Sequence, residues 1–149
     1  MEIASKVPIS IKGKCVSGER TDVEARGKTI IIDEPTQRGG SDLGMSPLET
    51  FFSSYVGCIN VVANLIIREM GLDIQISSVD IQGRFLSAAF TGDDNIGVPF
   101  ERMKLIITAE AKCTDDELAK VKEQLAWRCP VSATFYAAGM DLTEEWVLT

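Results

Sequence analysis

The chain contains no histidine. That absence removes the base that usually activates a cysteine or serine nucleophile, and it rules out every mixed Cys/His zinc pattern. No C-x-x-C pair occurs either. The four cysteines, Cys15, Cys58, Cys113 and Cys129, are 43, 55 and 16 residues apart, too sparse for the disulfide framework of a small secreted domain. Lys and Arg are outnumbered and form no cluster: with a net charge of −7, an electrostatic grip on nucleic acid or on an anionic membrane is not expected. No wholly apolar run reaches the roughly 18 residues of a membrane span. The opening "MEIASKVPIS" lacks the apolar core of a signal peptide. Repeats, low-complexity tracts and linkers are missing as well. At 149 residues the expectation is one domain, 1–149, in the cytoplasm, with reduced and mostly buried thiols.

What is present has a clear order. "VPISIKGKCV" alternates Val7, Ile9 and Ile11 with Ser10, Lys12 and Lys14, and "GKTIIIDEP" is a β-branched run closed by Pro35, so residues 3–33 read as strands with a turn at "ARGK". "TQRGGSDLG" is loop by composition. A long helix follows, with Ser46 as N-cap, Pro47 in the first turn, Glu49 completing an S-x-x-E box and Gly71 as the stop. "LDIQISSVDIQGRF" and "FERMKLIITAEAKC" read as strands around a loop at 92–99. Thr114 and Glu117 open a second amphipathic helix ending at "RCPVS", "PVSATFYAAG" is a short third helix, and "MDLTEEWVLT" is a closing strand. Strands that come in runs rather than in strict alternation with helices indicate the α+β class.

Two cysteines stand where chemistry is conceivable. Placing residues about 100° apart on the long helix gathers Leu48, Phe52, Tyr55, Ile59, Val62, Ala63, Ile66 and Met70 on one arc. Glu49, Thr50, Ser53, Asn60, Asn64 and Arg68 fall on the opposite one. Cys58 lies at the flank of the apolar arc, which fits either a core packer or a partly accessible, reactive thiol. If Pro130 opens a helix, Cys129 is its N-cap, and free N–H groups then face the sulfur and favour the thiolate. The alternative is an indifferent cap beside a buried turn.

Pro47 followed eleven residues later by Cys58, and "CPVS" beginning 71 residues after Cys58, together resemble the OsmC/Ohr family of osmotically inducible and organic-hydroperoxide-resistance proteins. The strand-first order and the chain length are similar too. The resemblance implies an OsmC-like fold in which antiparallel sheets pack on a long central helix in an intertwined homodimer. It implies a thiol-dependent peroxidase without cofactor or metal. Cys58 would attack an organic hydroperoxide, Cys129 would condense with the sulfenic acid to a disulfide, and a dithiol reductant would reset the pair. In the family an arginine held by a glutamate supports the thiolate. Here Arg20 and Glu49 are the matching candidates, with Arg38 as the other arginine. The hydroperoxide-resistance branch keeps its glutamate directly after the helix-opening proline. Leu48 stands there in this chain, and Glu49 lies about 100° further round, so the sequence looks like a member of the broader OsmC-like group. Phe51, Phe52, Tyr55 and Val62 are expected to line an apolar substrate pocket, and Cys58 to titrate below the ordinary thiol value of about 8.5. The alternatives are a non-catalytic dimer that senses oxidation or holds a lipid-like ligand, and an acyl-enzyme, against which the missing histidine counts.

Overall fold

The computed structural model describes residues 6–149; the first three positions of the expected opening strand, 3–5, lie outside the described residues. Contacts divide the chain into two compact units, one through Phe51 and one from Phe52.

In the first unit β1 (Lys12–Cys15), β2 (Arg20–Ala25) and β3 (Lys28–Asp33) form an antiparallel sheet in that order. Arg26 and Gly27 join β2 to β3 with φ of 53° and 74°, the two-residue turn whose twist suits a hairpin. The strand expected from Val7 starts only at Lys12. Lys12 pairs with Glu24 and Ala25 with Lys28, so the register leaves Ile11 opposite the last residue of β2 and carries Val7 and Ile9 past its end. Those three side chains are 79%, 86% and 63% exposed. At the end of β3, buried Asp33 accepts the N–H of Ser41 at 3.2 Å and of Leu43 at 3.1 Å, which orders the polar loop. Gly40 is required there, since a Cβ would meet the carbonyl oxygen of Glu34 at 1.7 Å.

The helix α1 (Pro47–Met70) runs for 24 residues. The Ser46 N–H donates to Glu49 Oε2 at 2.7 Å and the Glu49 N–H to Ser46 Oγ at 3.4 Å, a reciprocal cap that satisfies two otherwise orphaned donors. Gly71, with φ of 64°, ends it. Although no 18-residue stretch is wholly apolar, α1 is long and apolar enough to cross a membrane by length and composition. Its Tyr55, Ile59, Ala63, Ile66 and Ile67 are instead buried in the core of the second unit.

That unit holds β4 (Asp73–Phe85), β5 (Phe100–Lys112), α2 (Asp115–Arg128), α3 (Pro130–Ala137) and β6 (Leu142–Leu148). On β5, Met103, Leu105, Ile107 and Ala109 alternate into the core with Val121 and Leu125 of α2. The sheet order is β4-β5-β6, antiparallel between β4 and β5 but parallel between β5 and β6. The expectation of antiparallel sheets is therefore corrected: the second sheet is mixed. Its cause is the two-helix crossover through α2 and α3, which carries the chain back to the start of β5.

Candidate functional site

Cys129 is a joint between two helices. Its backbone is extended, with φ of −75° and ψ of 113°, and it serves both as C-cap of α2 and N-cap of α3. Its N–H donates to the Leu125 carbonyl at 3.1 Å, closing α2. Its Sγ accepts the Ser132 N–H at 3.4 Å, opening α3. Pro130 occupies the first turn, where a missing N–H costs nothing. The side chain is fully buried.

Cys58 sits half-buried on α1 with its Sγ 3.1 Å from that of Cys129, and the two thiols share a hydrogen bond. The main chain of Val131 also hydrogen-bonds this sulfur. The first turn of α3 thus presents one N–H to each thiol, the arrangement by which a helix start stabilises negative charge. Both cysteines are free, and the separation exceeds a covalent S–S bond of about 2.05 Å by roughly 1 Å.

The expectation of a depressed Cys58 pKa is corrected. Burial, and then the hydrogen bond with Cys129, push the thiol up to about 11, against which the Val131 hydrogen bond acts in the opposite direction. One backbone donor does not offset the loss of water around a thiolate. The rate of Cys58 alkylation by iodoacetamide, in a chain carrying Cys15→Ser and Cys113→Ser, is therefore expected to rise about tenfold per pH unit from 7 to 10. A plateau by pH 8 would contradict it. Stability follows the same sign. The folded chain keeps a proton that the unfolded thiol, with its ordinary value of 9.0, releases, so stability is complete below about pH 9 and falls as pH rises towards 11.

Tyr55, one turn before Cys58, is 2% exposed, and its Oη accepts the Ser132 O–H at 3.2 Å. Burial pushes its phenol up to about 12. Phe135 meets Tyr55 edge-on at 5.0 Å and Phe52 at 5.9 Å, and Phe52 meets Phe100 at 5.0 Å. Of the four residues expected to line a pocket, Tyr55 lies inside the core. Phe52 and Val62 pack against that core, and Phe51, 43% exposed, ends the first unit.

The remaining candidates belong to the first unit. Arg20 opens β2 and grips Asp22 with two hydrogen bonds, Nε to Oδ1 at 2.8 Å and Nη2 to Oδ2 at 3.1 Å, which raises its pKa further. Arg38 pairs with Glu34 at 2.9 Å. The Glu49 carboxylate is taken up by the cap at Ser46, which lowers its pKa, and the Arg38 charge lowers it further. Among the described residues, no group of three or more His, Cys, Asp or Glu side chains is placed to hold a metal ion. Sequence reasoning missed Ser132: "CPVS" shows a serine in the first turn of a helix, but nothing local reveals that its partner lies 77 residues earlier.

A family model described as OsmC-like protein matches residues 39–145, a span that includes Cys58 and Cys129 and leaves out Arg20. The crystal structure of an OsmC-like protein from Mycoplasma pneumoniae shares the fold with a TM-score of 0.75 at 16% identity, covering 99% of this chain and 98% of that one. An organic hydroperoxide resistance protein OsmC from Legionella pneumophila gives 0.66 at 15%, over 96% and 98%. An organic hydroperoxide resistance protein from Elizabethkingia anophelis gives 0.67 at 14%, over 99% and 100%. At these identities the likeness is one of fold. No curated protein matches the chain.

Proposed function

The chain belongs to the OsmC-like protein family, and we propose that within it this protein reduces organic hydroperoxides by passing oxidation from Cys58 to Cys129. The observation that carries the reading is the 3.1 Å between the two sulfurs at the start of α3. The Cys58 thiolate attacks the hydroperoxide; the O–O bond breaks, an S–O bond forms, and the alkoxide leaves and is protonated to the alcohol. The Cys129 thiolate then attacks the Cys58 sulfur. The S–O bond breaks, the S–S bond forms, and hydroxide leaves as water with the proton that Cys129 gave up. A dithiol reductant restores both thiols and becomes a disulfide itself.

An organic substrate is supported by the apolar neighbours of Cys58 on α1. Val61 and Leu65 are 65% and 39% exposed and Val62 is half-buried. Each methylene of an alkyl group that they shield contributes up to about 0.8 kcal/mol. With the thiol at about 11, the reaction at pH 7 runs through a thiolate fraction of about one in ten thousand. A second reading, a sensor oxidised once per chain rather than a turnover enzyme, draws on the same pair of neighbouring sulfurs. Consumption of tert-butyl hydroperoxide with dithiothreitol separates the two. Many equivalents consumed per chain support the enzyme, one equivalent supports the sensor, and consumption no faster than buffer overturns both. Equal kcat/KM for hydrogen peroxide and cumene hydroperoxide would overturn the organic preference.

The working form proposed is a homodimer in the cytoplasm, where dithiols stay reduced. The exposed Val7, Ile9, Ile11 and Ile30 of the first unit are apolar surface that a second copy would cover. Light scattering at micromolar concentration is expected to give about twice the 16.3 kDa of one chain. A mass of one chain would contradict it.

A further inference from the structure

Three hydrogen-bonding contacts tie the start of α3 to α1, and one of them does not involve the thiols. Tyr55 and Cys58 lie one turn apart on α1, and Cys129 and Ser132 one turn apart at the start of α3. Sulfur meets sulfur at 3.1 Å and hydroxyl meets hydroxyl at 3.2 Å. The Ser132 N–H returns to Cys129 Sγ at 3.4 Å, so the four residues close a ring across the two helices. We infer that the Tyr55–Ser132 pair is a latch that holds the first turn of α3 against α1 and thereby sets the approach of Cys129 to Cys58. Both are positioning residues: neither exchanges a bond with peroxide or sulfur. The inference rests on the reading of Cys58 and Cys129 as a redox pair, and adds what keeps that pair in register.

The need for a latch follows from the local build. The helix α3 has eight residues, too few to hold its own position by helix propensity alone. It joins α2 through one extended residue, Cys129 itself. Proline at its start brings no N–H, and the N–H groups of the next two residues face the sulfurs. The Ser132 hydroxyl is thus the first side chain of α3 to hydrogen-bond another helix. Ser132 and Tyr55 are each 2% exposed, so removing either oxygen leaves a buried polar group without its partner. Disulfide formation requires the sulfurs to close by roughly 1 Å, and a misplacement of that size at a reacting pair costs about a hundredfold. The tyrosine, held protonated by its burial, keeps the latch neutral across the working pH range.

The test uses the full chain and no peroxide. The wild type, Tyr55→Phe and Ser132→Ala are equilibrated with mixtures of oxidised and reduced glutathione, and the Cys58–Cys129 disulfide is quantified after alkylation. Each variant is expected to shift the equilibrium towards the dithiol by about three- to tenfold, the worth of one neutral hydrogen bond. The double variant should shift it no further than the larger single one, because the two groups form one contact. A contact that serves only stability would lower the melting temperature and leave the thiol–disulfide ratio where it was. Wild-type pairing with both single variants within about twofold of it overturns the latch alone. A wild-type chain whose two thiols form no Cys58–Cys129 disulfide in excess oxidised glutathione overturns the redox reading and the latch with it.

Discussion

Replacing Cys58 by serine is expected to bring tert-butyl hydroperoxide consumption down to the reaction between peroxide and dithiol in buffer, a loss on the order of 10³-fold or more, as befits a missing nucleophile. A hydroxyl holds its proton far more tightly than a thiol and does not form the sulfenic acid on which the second step depends. The substitution is gentle for the fold: Cys58 is half-buried at the edge of the core, and a hydroxyl there can still receive the hydrogen bond at the start of α3. Cys15, exposed, and Cys113, half-buried, have no sulfur partner of this kind. Their serine variants are expected to keep the full rate. Turnover persisting in Cys58→Ser and vanishing in Cys15→Ser or Cys113→Ser would move the nucleophile.

Cys129→Ser is expected to behave differently, which makes it the more informative variant. Serine is a better N-cap than cysteine, so α3 should keep its start and the chain its fold. Cys58 would still react once with hydroperoxide, but no internal thiol would resolve the product. Mass spectrometry should then find Cys58 carrying one added oxygen after a brief exposure and two or three after excess peroxide, the irreversible rungs of sulfur oxidation. Steady-state turnover with dithiothreitol should fall by about tenfold or more, since an external thiol replaces one held 3.1 Å away. A variant that turns over at the wild-type rate without over-oxidation would remove Cys129 from the resolving step.

How much of this was legible in the sequence depends on the range of the forces involved. The ends of α1 are local chemistry: Ser46, Pro47 and Glu49 at one end and Gly71 at the other mark them within a turn. The element order and the Cys129 cap before Pro130 are equally local, and both are found as read. Val7, Ile9 and Ile11 alternate as a strand should, yet a strand exists only opposite a partner, and β2 ends opposite Ile11, too soon to continue it. The parallel β6 depends on the path of α2 and α3, not on the composition of β6. Cys58 could be placed on the flank of an arc, but the wheel does not say how much protein covers that flank. Burial there reversed the expected direction of its pKa. The approach of Cys58 to Cys129, like that of Tyr55 to Ser132, joins residues more than 70 positions apart; a resemblance can suggest the first, and only the packed helices reveal the second.

The central claim is that oxidation entering at Cys58 ends in a bond to Cys129. One equivalent of cumene hydroperoxide added to the fully reduced wild type, followed by alkylation and peptide mapping without reductant, tests it directly. The account predicts one dominant cross-linked species joining the Cys58 and Cys129 peptides and disappearing with dithiothreitol. Cys58 recovered instead as a mixed disulfide with added thiol, with Cys129 alkylated and no internal bridge, would contradict it.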